Sequence, residues 1–172
     1  AWYRSFGTER SPGTMIFCLG NEVVSPGAYE LPVGVTARTL LEECGGGMKD
    51  EKPVKAFLPG GPSCAFLTGD DLDVPLEPDA LKAAGSSLGC GVMRFYSEDT
   101  CMVEPSLELA LFFAEECCGQ CPACKMETSM LAAALRKIQS GQGDPNLLLQ
   151  IPKVVEFNRG KGFCSLVNMP GP

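Results

Sequence analysis

The chain has 172 residues, 45% hydrophobic and 20% charged, with 14 basic against 21 acidic side chains, no histidine and a formal net charge of −7. That length accommodates one domain or two small ones around an ordinary core, and an acidic balance without a basic run argues against nucleic acid, whose phosphates need clustered Lys and Arg. The absence of histidine removes Ser-His and Cys-His catalysis, mixed Cys/His zinc sites, Rieske clusters and His-ligated haem, so any metal must be held mainly by sulfur or carboxylate.

The N-terminal stretch AWYRSFGTER has no apolar core of signal-peptide type, and no stretch approaches the roughly 18 apolar residues of a membrane span. Trp2, Tyr3 and Phe6 are aromatics without preceding residues to cover them, which suggests a segment that continues a longer chain. From Gly13 the signals are those of a small α/β unit. TMIFCLG (14–20) is a short apolar run ending in Gly, and GAYELPVG (27–34) alternates around Tyr29 and Leu31 after the Pro26-Gly27 turn, so the two predict a hairpin. VTARTLLEEC (35–44) places a capping Thr36 ahead of Leu40, Leu41 and Cys44 at helical spacing, stopped by glycines 45–47. VKAFLPGG (54–61) predicts a third strand and GVMRFYS (91–97) a fourth. Two strands, a helix, a strand and a late strand follow the order of a β-grasp, ubiquitin-like fold.

The remainder is helical. Glu104-Pro105 opens a first helix with an acid and a Pro near its positive end, continuing on an apolar face of Leu107, Leu111 and Ala114. After Cys124, Met130, Leu131, Ala134, Leu135 and Ile138 recur at helical spacing, closed by Arg136, Lys137 and Gly141. Asp144-Pro145 starts a third helix carrying Leu148, Ile151 and Val155, ending near Gly160 and expected to kink at Pro152. The expected architecture is α+β: a linker over 1–12, a β-grasp domain over 13–98 and a small antiparallel helical bundle over 99–172.

Ten cysteines are about 6% of the chain, below the density of short secreted disulfide scaffolds, and favour a reducing cytoplasm or organelle matrix. Cys118, Cys121 and Cys124 form C-x2-C-x2-C, and Cys164 follows two predicted helices later in GKGFCSL. Three thiolates at successive steps of three can wrap a tight loop around three corners of a cubane and leave the fourth to a remote ligand, as compact 4Fe-4S sites do. Zinc commonly takes two separated pairs, and only one pair-like element exists here. A thioredoxin-type dithiol belongs after a strand, whereas this motif follows a helix. Zinc and a thiol switch remain as alternatives. The amides of Gly119 to Cys121 and the Gln120 side chain are expected to donate to the sulfurs. Cys117, next to Cys118, is expected to face helix packing or a subunit contact. Cys18, Cys44, Cys64, Cys90 and Cys101 lack ligand spacing, and most are expected to be buried small hydrophobes. The glycine stretches PGG and GSSLGCG match neither the Walker spacing nor a full G-x-G-x-x-G and are expected to be turns.

Taken together, these motifs resemble the NADH-binding flavoprotein subunit of respiratory complex I and the related diaphorase subunits of NAD-reducing hydrogenases and formate dehydrogenases. WYRSFGTERSPGT resembles the linker after that family's flavin domain; SPGAYELPVGVTARTLLEECGG, FLPGGPS and AGSSLGCG resemble its soluble-ligand-binding β-grasp domain; CGQCPACK with GFCSL resembles its cluster-binding bundle. The resemblance covers essentially the whole chain and only the C-terminal part of the family. It implies one 4Fe-4S cluster on Cys118, Cys121, Cys124 and Cys164 that takes electrons from FMN and passes them to clusters of a neighbouring subunit, with no bond-making residue on this chain. FMN and NAD are implied for the flavin domain, which this stretch does not contain, and the implied partners are that domain and the iron-sulfur subunits of a complex peripheral to a membrane. Three positions depart from the family: Cys117 stands where Ser is usual, Pro122-Ala123 where Pro directly precedes the third ligand, and Lys125 where Arg follows. A different class of function, a protein-interaction module whose cysteines or zinc merely brace the bundle, is the competing reading, and NADH oxidation by this chain alone a third.

Overall fold

The first hairpin forms as expected, with its turn at Asn21-Glu22 and Gly27 already in the second strand: Thr14–Leu19 (β1) pairs antiparallel with Gly27–Pro32 (β2), from Thr14 opposite Pro32 to Leu19 opposite Gly27. The computed structural model describes residues 2–171, which divide into two compact units, one up to Thr100 and one from Cys101. In the first, Val54–Leu58 (β3), Leu67–Thr68 (β4) and Val92–Ser97 (β5) complete a mixed sheet of order β2-β1-β5-β3-β4. β5 lies parallel to β1 and antiparallel to β3, so the last strand inserts between the first hairpin and the third strand. This is the β-grasp arrangement. β3 stops at Leu58 because Pro59, Gly60 and Gly61 turn away from the sheet.

Between β2 and β3 the chain forms Ala37–Thr39 (α1), which widens into a π-helical turn over Leu40–Cys44. Thr36 caps it as expected, its hydroxyl accepting from Thr39 N at 3.1 Å. Replacing Thr36 by Ala is expected to cost about 1 kcal/mol, read as a lower urea midpoint for the first unit. Ala37, Leu40 and Leu41 pack with Phe17, Leu19, Phe57, Met93 and Phe95 in one core, where the Phe57 and Phe95 rings stack at 5.8 Å. Alternation explains the inward set: Phe17 is fully buried while its neighbour Ile16 is exposed. Two elements were not expected. β4 has two residues, too short for a period to register, and Pro78–Ala83 (α2) buries a single side chain, Leu81.

Residues 2–12 make specific contacts. The Tyr3 hydroxyl accepts from Thr14 N at 3.0 Å, Gly13 N donates to Phe6 O at 2.6 Å, and Trp2 meets Tyr3 and Phe6 edge-on while remaining exposed.

The second unit comprises Val103–Glu116 (α3), Pro122–Gln139 (α4) and Pro145–Asn158 (α5), followed by a 3-10 turn over Ser165–Asn168. Asp144 caps α5, accepting from Asn146 N at 2.6 Å. The helices share Ala110, Leu131, Ala132 and Val155, flanked by Leu111, Ala114, Leu135 and Ile151. Two residues expected on these faces are exposed, Met130 and Leu148. On α5 the inward stripe runs through Leu147, Ile151 and Val155 at steps of four, and Leu148 stands about 100° round the helix from it. The helix continues through Pro152, on its exposed side. Among the described residues, no helix is long and apolar enough to cross a membrane.

Candidate metal centre

α3 ends at Glu116, and the backbone of Cys117 is already extended. The loop then turns at Gly119, whose φ of 76° is a left-handed conformation that favours glycine. Cys121 occupies the N-cap position of α4, its side chain making no cap bond, with Pro122 in the first helical position, where a missing N–H costs nothing. Cys124 follows in the first turn, three residues on and therefore on the same face as Cys121. The fourth predicted ligand arrives separately: Gly160 ends α5 with a φ of 72°, and Cys164 immediately precedes the 3-10 turn.

The four predicted ligands line a single cavity of about 130 Å³, walled by Leu166 and Val167. Cys121 and Cys124 are buried, whereas Cys118 and Cys164 are exposed. Cys117 lines the same cavity, with its sulfur 3.5 Å from that of Cys124. The expectation that Cys117 turns toward helix packing therefore fails. The extended backbone after α3 lets both members of the Cys117-Cys118 pair border the cavity. Among the described residues, the backbone donor to a predicted ligand sulfur is also not one of those expected. Phe163 N donates to the Cys121 sulfur at 3.2 Å, so the donor comes from the segment carrying Cys164 and not from the Gly119–Cys121 loop.

Burial first, then the contact with Cys117 and the proximity of Cys121 and Cys164, push the Cys124 thiol up to about 12. Crowded thiols of this kind resist ionisation together unless a cation replaces their protons. Among the described residues no three donors form a closed metal site. The four predicted ligands line one enclosed space, as a polynuclear core with one corner per sulfur requires. The donor set and its enclosure fit an iron-sulfur cluster, and its binding must release protons.

The other cysteines divide differently from expectation. Only Cys64 is buried; Cys18 and Cys44 are half-buried, and Cys90 and Cys101 are exposed. Cys90 follows a surface glycine turn, its N–H donating to Gly60 O at 3.0 Å. A side chain at Gly60 would run into the backbone of Leu88 and Gly89, so the two glycine-rich stretches are interlocked turns. A concavity of the first unit, about 690 Å³, carries Arg38, Lys52 and Lys55. Each is already engaged, by Asp73 and Glu42, by Asp99 and by Thr100 O respectively.

Residues 106–170, which contain all four predicted ligands, match the family model described as the NADH-ubiquinone oxidoreductase-F iron-sulfur binding region, and residues 15–67 match the SLBB domain. The two matches follow one another along the chain, the SLBB match lying before the iron-sulfur match. It is 38% identical over 166 residues to the second NADH-quinone oxidoreductase F subunit of Rhizobium meliloti (strain 1021), covering 96% of this chain and 39% of that protein. It is 35% identical over 165 residues to the NADH-quinone oxidoreductase F subunit of Escherichia coli (strain K12), covering 95% and 37%. It is 34% identical over 172 residues to the NADP-reducing hydrogenase subunit HndC of Solidesulfovibrio fructosivorans, covering 99% and 35%. The chain thus spans less than two-fifths of the length of these relatives. Its fold matches a chain of an NAD+-reducing [NiFe]-hydrogenase in the H2-reduced state with a TM-score of 0.86 at 26% identity, over 99% of this chain and 28% of that one. The resemblance seen in the cysteine and glycine motifs is borne out, as is the α+β class.

Five cysteines bordering the cavity of this iron-sulfur binding region leave one spare for a four-cornered cluster. Replacing Cys117 by Ser is expected to leave iron content unchanged, whereas Cys118→Ser removes most of it. Iron and acid-labile sulfide analysis of the two variants separates them.

Proposed function

We propose that this chain is the electron-transfer segment of an NADH:acceptor oxidoreductase, holding one 4Fe-4S cluster on Cys118, Cys121, Cys124 and Cys164. The observation that carries the reading is the convergence of the Cys118, Cys121 and Cys124 triple with the distant Cys164 on one walled cavity within the matched iron-sulfur region. When bound, the cluster supplies one-electron transfer. The chain's own residues hold and shield it: Cys121 and Cys124 anchor from the start of α4, Cys164 closes from the other side, and Leu166 and Val167 exclude water. The Phe163 N–H stabilises negative charge on the Cys121 sulfur, which raises the potential relative to a site without that donor.

No bond-making residue is assigned to this chain. FMN and NAD belong, in this reading, to a flavin domain not contained in this stretch, and the electrons go on to iron-sulfur clusters of a partner subunit. The relatives' names as subunits of NADH-quinone oxidoreductases and an NADP-reducing hydrogenase support partners of this kind. The expected setting is the cytoplasm or an organelle matrix, at the periphery of a membrane complex.

The test is anaerobic reconstitution followed by metal and sulfide analysis. A brown protein with about four irons per chain and a paramagnetic signal on one-electron reduction supports the reading; one zinc and no iron sinks it.

A further inference from the structure

Three buried side-chain atoms in the second unit lack a hydrogen-bond partner among the described residues, and all three lie on two residues: Oε1 and Oε2 of Glu127 and Oδ1 of Asn158. Both side chains are completely buried. Asn158 Nδ2 donates one hydrogen to Val154 O at 3.0 Å, which settles the orientation of the carboxamide. Its other hydrogen remains, and the Asn158 carboxamide stands near enough to Glu127 to favour its charged form, although no hydrogen bond joins the two in this structure.

A carboxylate here accepts at most from Nδ2 and leaves Asn158 Oδ1 facing negative charge without a donor. A carboxylic acid does better. Its carbonyl oxygen accepts from Nδ2 while its O–H donates to Oδ1, and this cyclic acid-amide pair satisfies all three orphaned atoms at once. We propose that Glu127 is a proton-bearing positioning residue: as the neutral acid it pairs with the Asn158 carboxamide and thereby holds the turn that presents Cys164 to the sulfurs of α4.

The chain connectivity supplies the reason. Glu127 lies one turn beyond Cys124 on α4, and Asn158 is the last residue of α5. From Asn158 the chain reaches Cys164 through a turn pinned by Lys161 N to Asn158 O at 3.0 Å and Gly160 N to Asn168 Oδ1 at 2.9 Å. Phe163 N then bonds the Cys121 sulfur. Freeing Asn158 loosens the base of that turn. Burial, the dominant influence, already favours the neutral acid and pushes Glu127 up to about 7, with the Asn158 carboxamide and Arg159 opposing it. Arg159 is the charged group that bears on Glu127, and its guanidinium also holds Glu156 at 2.9 Å. Glu104, Glu108, Glu115 and Glu116 of α3 and Lys125 of α4 are exposed, and Ser165–Asn168 carries no charge.

The clasp's effect on metal retention rests on the proposed cluster, but the clasp itself does not, and the test separates them. Amide hydrogen exchange at Lys161 and Phe163, corrected for intrinsic rates, is measured on the metal-free full chain at pH 6 and pH 8.5, for the wild type, Glu127→Gln and Glu127→Ala. The wild type is expected to lose about tenfold protection at the higher pH. Glu127→Gln, whose amide keeps both bonds, is expected to be protected at both pH values, and Glu127→Ala at neither. Chelator-driven iron loss from the reconstituted chain should follow the same pattern. A wild type indifferent to pH, or Glu127→Gln behaving like Glu127→Ala, overturns the proposal. If the variants do not fold, infrared spectroscopy of the wild type decides: a protonated-carboxyl band at pH 6 that disappears by pH 8.5 supports it, and absence of the band overturns it. Failure to load iron alone counts against the cluster and leaves the exchange result standing.

Discussion

Replacing Cys121 by Ser is expected to abolish the visible chromophore and reduce bound iron from about four per chain to near zero. The effect should be the largest of any single substitution because Cys121 does three things at once. Its sulfur borders the cavity, it accepts from Phe163 N, and its extended backbone starts α4 from the N-cap position. Serine caps a helix well, so the loss will not come from unfolding of α4, and far-ultraviolet circular dichroism of the variant should match that of the metal-free wild type. Retention of the full iron content with Cys121→Ser, measured by metal analysis after anaerobic reconstitution, would remove this residue from the ligand set.

The second large effect is a pH dependence of stability centred on Glu127. A buried carboxyl held at about 7, against about 4.3 in an unfolded chain, binds a proton more tightly when folded. Its contribution is therefore complete below the unfolded value and is lost as the pH rises through the folded one. Between roughly pH 4.3 and 7 the second unit should lose on the order of 3 kcal/mol. Glu127→Gln, with no proton to lose, should show no such decline, becoming the more stable form at pH 8. The opening free energy of α4 amides, from native-state hydrogen exchange of the full chain at pH 5 and pH 8, measures both. Equal pH dependence in the two proteins would assign the decline to another group.

Legibility followed the length scale of each interaction. The Thr36 cap and the Asp144 cap are contacts between residues at most a few positions apart, and each appeared where the residue types placed it. Elements whose reason is remote were missed. β4 exists because Leu67 and Thr68 fall opposite Phe57 and Ala56, and nothing within two residues announces a strand. The exposure of Leu148 was equally hidden, since three consecutive leucines over 147–149 give no local preference for which one faces inward.

The candidate site divides the same way. The sequence alone determined a tight triple of cysteines at steps of three, a sulfur-only donor set enforced by the lack of histidine, and the resemblance that supplied Cys164. Tertiary structure alone decided that Cys117 also borders the cavity, that the sulfur hydrogen bond comes from Phe163, and that Glu127 meets Asn158. Spacing along a chain prescribes which residues share a loop or a helix face. It carries no record of how two helix ends pack, and burial, which turns an ordinary glutamate into a proton-holding clasp, is a property of that packing.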